Sequence, residues 1–286
     1  MALADLTNIY RAVIFTHYNE ELAKPAPEYV RFMQSFYAVK VIMRWFGWSA
    51  VLVISTTAVA QQIPAGTVIP VMLNTGLNAG KDAAGKNIEG KVMQDVPTPL
   101  GFTVSKGSKV TGQVVSAGKA GGSEPSLVLT FNSIQDHGRT IPLTAAVLAI
   151  ASMQSVAQAQ SPINSNPDMQ SASGWVTRQV GGDVVSRSQR KVGTPGGLTG
   201  IWLEDSSVII KLTPNADAGC PGGPGYDRPQ AVWIFSSSAC GTYELGNARI
   251  ASSGAAPPLG NVSLSSDRNL QIRGGSGWLL ITVDKK

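Results

Sequence analysis

From Ser126 to Ile134 the residues Leu127, Leu129 and Phe131 alternate with Val128, Thr130 and Asn132. A period of two marks a strand with one face in a core, and it predicts that the two leucines and the phenylalanine point inward. Asp136-His137-Gly138 follows as a turn, and Thr140 to Ala149 is expected to return as the partner strand of a hairpin. Upstream, Thr67 to Leu73 is β-branched and apolar except for Pro70, which predicts a strand at an edge or bulge because proline has no N–H for a central ladder. Further short strands are expected at Lys91 to Val96, Phe102 to Val104 and around Val110, with turns at Gly85 to Gly90 and Lys106-Gly107-Ser108.

Between Ser152 and Ser173 the pattern gives way to Gln, Ser, Asn, Ala and Pro, and Pro162 and Pro167 interrupt any helix begun upstream, which reads as a linker. A binding loop is the alternative. Strands resume at Trp175 to Val180, Ile201 to Leu203, Val208 to Leu212, Val232 to Phe235, Thr242 to Leu245, Val262 to Leu264, Leu270 to Ile272 and Trp278 to Val283. No helix is expected after residue 61. The fold class is therefore all-β: a small β-barrel or sandwich with an inserted β-rich, disulfide-bearing segment, preceded by a helical signal segment. The expected divisions are 1–60, an N-terminal extension and signal peptide; 61–151, the first part of the barrel; 152–245, a linker and β-rich insertion or second domain; and 246–286, closing strands.

The signal rests on Lys40 and Arg44, an apolar run from Trp45 to Ile54, and small residues up to Ala58-Val59-Ala60 in the A-x-A pattern, which places cleavage after Ala60. The run is short for a span of hydrocarbon, which takes about 20 residues. Processing would leave a periplasmic or secreted chain; an uncleaved segment would anchor it in the inner membrane. Residues 1–32 carry Glu20, Glu21 and Glu28, unlike an export n-region, and read as an upstream start or a helical extension.

The exported part, 61–286, holds 18 Lys and Arg against 14 Asp and Glu, scattered rather than concentrated on one stretch. Nucleic acid is therefore not an expected partner. Cys220 and Cys240 are the two cysteines of the chain, and in an oxidising compartment they are expected to form one disulfide. Zinc would need further Cys or His ligands near them, so neither a metal nor any other cofactor is expected.

A set of motifs carries a resemblance. In order they are Ile63 to Val71 (IPAGTVIPV), Leu73 to Leu77 (LNTGL), Lys106 to Gly112 (KGSKVTG), Leu127 to Ile134, Gly138 to Leu143 and the tail Arg268 to Val283. This series resembles the C-terminal β-barrel domain of the conjugal-transfer TrbI-like family, scaffolds of type IV secretion core complexes. The resemblance implies a β-barrel scaffold that associates with envelope proteins or with itself.

Candidate chemistry is sparse. His137 is the one histidine of the exported part; a Ser-His-Asp triad through it would need distant partners, and no G-x-S-x-G or H-E-x-x-H motif accompanies it. Glu204 and Asp205 are adjacent and would point to opposite faces of a strand, unlike a paired-carboxylate hydrolase. Asn215, Asp217 and Gly219 give only a fragment of a calcium loop. Trp175, Trp202 and Trp233 stand in the second half, where tryptophans on an open β-face would bind a glycan or a protein, and tryptophans in a core would not. The sequence thus favours a non-enzymatic envelope scaffold or docking module. A secreted glycan- or surface-binding module is the second reading, and a hydrolase a distant third. Fractionation of cells expressing the full chain, with intact-mass analysis under non-reducing conditions, is expected to give a soluble species beginning at Gln61 and two hydrogens lighter than its reduced form. An uncleaved, membrane-bound species would contradict this reading.

Overall fold

Two strands carry apolar side chains on both faces, and the fold is arranged around them: β1 (Val68–Leu73) and β20 (Gly277–Thr282), paired antiparallel from Val68↔Ile281 to Met72↔Gly277. The computed structural model describes residues 62–119, 125–161, 175–182, 184–188, 191–194, 197–203, 207–212, 227–250 and 261–284. All lie within one unit spanning Val59–Lys286. The class is all-β, with twenty strands and one short helix among the described residues.

The larger sheet adds to the central pair β3 (Asn87–Val92), β6 (Lys109–Lys119), β7 (Pro125–Asp136), β18 (Asn261–Ser266) and β17 (Ala248–Ile250) on one side. On the other side come β9 (Ala145–Ala151) and, parallel to it, β16 (Gly241–Tyr243), while β8 (Arg139–Pro142) pairs with the far end of β7. Strands from both ends of the described chain therefore share one sheet. Its edges, β16 and β17, meet at a corner where Thr242 Oγ1 donates to Ala248 O at 2.6 Å, but no backbone ladder joins them. The sheet curls without closing as a barrel. Two small pairs decorate it: β2 (Leu77–Asn78) with β19 (Gln271–Ile272), and β4 (Val96–Pro97) with β5 (Thr103–Val104).

The second sheet is a six-stranded antiparallel meander: β10 (Trp175–Arg178), β11 (Val184–Ser188), β12 (Lys191–Thr194), β13 (Gly197–Leu203), β14 (Ser207–Lys211) and β15 (Pro229–Ala231). β16, which lies inside the expected 152–245 segment, belongs to the first sheet and not to the second.

Alternation sorts the side chains into two cores. Ile69, Val71 and Leu73 of β1, Trp278 and Leu280 of β20, and Leu127, Leu129 and Phe131 of β7 fill the concave side of the large sheet. Trp278 meets Phe131 edge to face, ring centroids 5.9 Å apart, and its indole N–H donates to Ser276 Oγ at 2.9 Å, so this buried ring keeps its polar atom satisfied. The other faces of the same strands, Val68 and Met72 on β1 and Leu279 and Ile281 on β20, pack against Val208, Ile210 and Leu212 of the second sheet and against 232–235. A strand covered on both faces can be apolar at every position, which accounts for the run Trp278–Ile281. Burial of each such aliphatic side chain contributes roughly 1.5–3 kcal/mol. Gly112 sits at a register shift between β6 and β7, where an added Cβ would overlap the Thr130 carbonyl, so only glycine allows the strands to approach there.

Several expectations are corrected. β1 is central, not an edge. Leu73 N–H donates to Ser276 O at 3.0 Å, so by alternation the N–H that Pro70 lacks would face β3, whose ladder reaches only to Val71. The expected hairpin partner Thr140 to Ala149 breaks at Leu143-Thr144. β8 stays with β7, and β9 leaves to pair with β20. β3 lies earlier than the expected strand at Lys91 to Val96. Residues 232–235 form a turn in place of a strand. Within the expected linker stands helix α1 (Met153–Ala159), capped by Ser152, whose hydroxyl accepts from Ser155 N–H at 3.0 Å. Seven residues are too few to reveal a 3.6-residue period. The signal segment and the 162–174 stretch fall outside the described residues.

Candidate functional site

Three segments far apart in sequence converge where the two sheets meet. The first is the loop before β1, Ala65-Gly66-Thr67. It is pinned to the end of β20, with Gly66 N–H donating to Thr282 O (2.8 Å) and Thr67 N–H to Thr282 Oγ1 (2.9 Å). The second is the turn between β4 and β5, Pro97-Thr98-Pro99, closed by the Thr98 N–H and hydroxyl on Phe102 O at 2.9 and 2.7 Å. The third is Arg228-Pro229-Gln230 at the start of β15. Together they line a cleft of about 250 Å³. Among the described residues its walls are proline rings, Ala65 and threonine methyl groups, and the one charged residue is Arg228. A second cleft of similar volume, at Ala79, Gly80, Pro125 and Asp267-Arg268-Asn269, carries a carboxylate beside its guanidinium and so has no single charge to offer.

The proline-walled cleft is held in shape by buried amides. Gln230 accepts from Val68 N–H at 3.0 Å and donates to Gly66 O at 3.2 Å, so one side chain serves the β1 backbone as a neighbouring strand would. Gln94, 1% exposed, accepts from Trp233 N–H and donates to Val208 O at 3.1 Å, which ties the large sheet to the second one. Gln179 donates to Trp233 O at 3.3 Å. Trp233 has φ of 49°, a left-handed conformation that costs a bulky residue on the order of 1 kcal/mol or more, and Gln94 and Gln179 hold the peptide groups on its two sides. Losing any of these partners would strand buried polar groups at about 1–3 kcal/mol each.

Trp233 is 2% exposed and packs in the core between the sheets, so it presents no face to a glycan; the expectation of a binding role for it is corrected. Its polar surroundings, not an open surface, explain its place. Trp175 and Trp202 stand in β10 and β13, but their side chains lie outside the described part. Cys220 also lies outside. Cys240 is not a free thiol, and its backbone N–H donates to Tyr243 Oη at 2.9 Å. Glu204, Asp205, Asn215, Asp217 and Gly219 fall outside the described residues as well. Among those described, no group of three His, Cys, Asp or Glu side chains could hold a metal ion, and no helix is long and apolar enough to cross a membrane.

The turn Asp136-His137-Gly138 does bring a serine, a histidine and an aspartate together, but not in the order of a Ser-His-Asp triad. Ser105 Oγ lies 3.3 Å and Asp136 Oδ1 3.0 Å from the same ring nitrogen, His137 Nδ1, whereas a triad places serine and aspartate on opposite nitrogens. Asp136 is instead a knot between turns: it accepts from Ser108 Oγ at 2.7 Å, Ser105 N–H at 3.3 Å and Arg139 Nη2 at 3.1 Å. Burial alone would raise this carboxyl, but the bonds from Ser108, from the Ser105 hydroxyl and N–H, and from His137 outweigh it and hold the pKa at about 2.

No protein-family model and no curated protein matches the chain. The cleft residues were not singled out by the sequence, because each is a common turn or strand-end residue. The usable signal was a glutamine beside apolar residues, at Met93-Gln94 and Gln230-Ala231-Val232, since a polar residue at such a place is buried only with partners.

A folded pKa near 2 lies below the ordinary value of about 3.9, so ionised Asp136 stabilises the fold above about pH 4 and the contribution is lost as pH falls through 2. Urea midpoints measured from pH 5 to pH 2 are expected to lose about 2 kcal/mol that an Asp136→Asn variant does not lose. An unchanged acid slope in the variant would contradict the assignment.

Proposed function

We propose that the chain is a non-enzymatic β-domain of the cell envelope, acting as a scaffold or docking module with the proline-walled cleft as its docking point. The observation that carries the reading is the cleft itself, a rigid concavity formed by the loop Ala65–Thr67, the turn Pro97–Pro99 and Arg228–Gln230, with its polar side chains other than Arg228 bonded to the protein's own backbone. Such a surface is suited to hold a partner, and its described lining carries no carboxylate, histidine or cysteine. The all-β fold is compatible with the TrbI-like resemblance, and export with cleavage after Ala60 belongs to the same proposal. So does a Cys220–Cys240 bridge, because Cys240 is not free and Cys220 is the only other cysteine. The partners proposed are envelope proteins or further copies of the chain.

The glycan-binding alternative loses one of its three tryptophans to the core. The hydrolase alternative loses the geometry of its histidine. Leu100, 68% exposed and next to Pro99, offers a place for a photo-crosslinker beside the cleft. With p-benzoyl-phenylalanine in place of Leu100, irradiation of cells is expected to give a discrete adduct with an envelope protein or a second copy. The same group in place of Gln113, on the exposed polar face of β6, is expected to give none. No adduct at position 100, or the same adducts at both positions, would contradict the docking reading.

A further inference from the structure

We infer that the cleft takes the carboxyl terminus of a partner polypeptide that ends in an apolar residue. This deepens the docking reading above and rests on it.

Three observations lead to a chain end. The first is hydrogen-bonding capacity. A passing strand is usually held by a ladder, but Pro97, Pro99 and Pro229 have no N–H, and the N–H groups of Gly66, Thr67 and Val68 are spent on Thr282 O, Thr282 Oγ1 and Gln230 Oε1. The Thr98 N–H and hydroxyl are spent on Phe102 O. A regular ladder is thus removed over most of the described lining, and apolar contact and the Arg228 cation are left to recognise a partner.

The second observation is size. About 250 Å³ equals roughly eight water volumes, below the roughly 300–1,000 Å³ of sites for drug-sized ligands, and suits a terminal residue with part of its neighbour. Exposed Leu100 adds apolar surface for the residues before the terminus.

The third is charge. Arg228 is 47% exposed, and its one described ion pair runs from Nε to Asp227 Oδ1 at 4.0 Å; Asp227 is 86% exposed, so water screens the pair. The two terminal nitrogens of Arg228 make no hydrogen bond to a described residue and present the planar fork that a carboxylate accepts through two parallel bonds. A free carboxyl terminus with an apolar side chain satisfies both the fork and the proline walls.

The test uses fluorescence anisotropy of the purified full chain with fluorescein-labelled Gly-Ala-Pro-Leu-Val as the free acid. Its C-terminal amide and an amidated peptide with an internal aspartate are the comparisons. The free acid is expected to bind saturably and more weakly as salt rises. The amide and the internal-aspartate peptide are expected to bind at least about tenfold more weakly, Arg228→Ala to lower the free acid to the level of the amide, and Arg228→Lys to fall between. Melting temperatures show whether the variants are folded. Equal binding of acid and amide, no binding of the acid, or no effect of Arg228→Ala in a folded variant would overturn the inference. If the crosslink at position 100 nonetheless persists in the Arg228→Ala background, the carboxylate fails and the docking reading stands. If the crosslink is absent from the wild-type cleft, the docking reading itself fails.

Discussion

Buried side-chain amides joining two sheets are the constraint on which this fold depends. β15 lies beside β1 without a full ladder, and the backbone groups left over at that seam would be buried and unpaired if Gln230 did not supply both a donor and an acceptor. Gln94 does the same between the large sheet and the turn at Trp233. An apolar residue at either position would pack well enough but leave N–H groups without partners, and in a low dielectric an unmade bond costs more than a made one contributes. The amides therefore set how the second sheet is seated, and the seating covers the outer faces of β1, β9 and β20.

From that seating follows the cleft. Its floor is the loop pinned to Thr282, and its two rims come from a turn and a strand end that meet only because Gln230 holds β15 against β1. Prolines from two of the three segments fix backbone angles and remove donors, so the surface is poorly suited to extend a sheet. Among the described residues the lining is donor-poor and carries one guanidinium. In the histidine turn on another part of the sheet, the serines, histidine and arginine hold one carboxylate.

Much of the fold was legible in the sequence where one face meets a core and the other meets water. Leu127, Leu129 and Phe131 alternate with polar residues, and all three are buried on the concave side. The reading weakened where burial is two-sided. Pro70 pointed to an edge because proline lacks a ladder donor, yet it lies where one ladder ends, so a central strand tolerates it. The stretch Ala145 to Ala151 gave no sign that it leaves β7 for β20, since its small apolar residues fit either neighbour. Residues 232–235 are apolar and β-branched or aromatic, and only the tertiary bonds from Gln94 and Gln179 explain why they turn. The cleft was illegible because its lining comes from positions 65–67, 97–99 and 228–230, and no local pattern joins them.

Through the buried amides the two sheets are expected to form one cooperative unit. Hydrogen exchange followed by mass spectrometry on the wild type and a Gln94→Ala variant tests it directly, because that change removes the partner of Trp233 N–H and one donor to Val208 O without touching either sheet's own ladder. Protection in Val68–Leu73 and in Ser207–Lys211 is expected to fall together, by a common free energy of about 1–3 kcal/mol. Loss confined to the second sheet, with β1 and β20 as protected as before, would contradict the claim and make the second sheet an independent module.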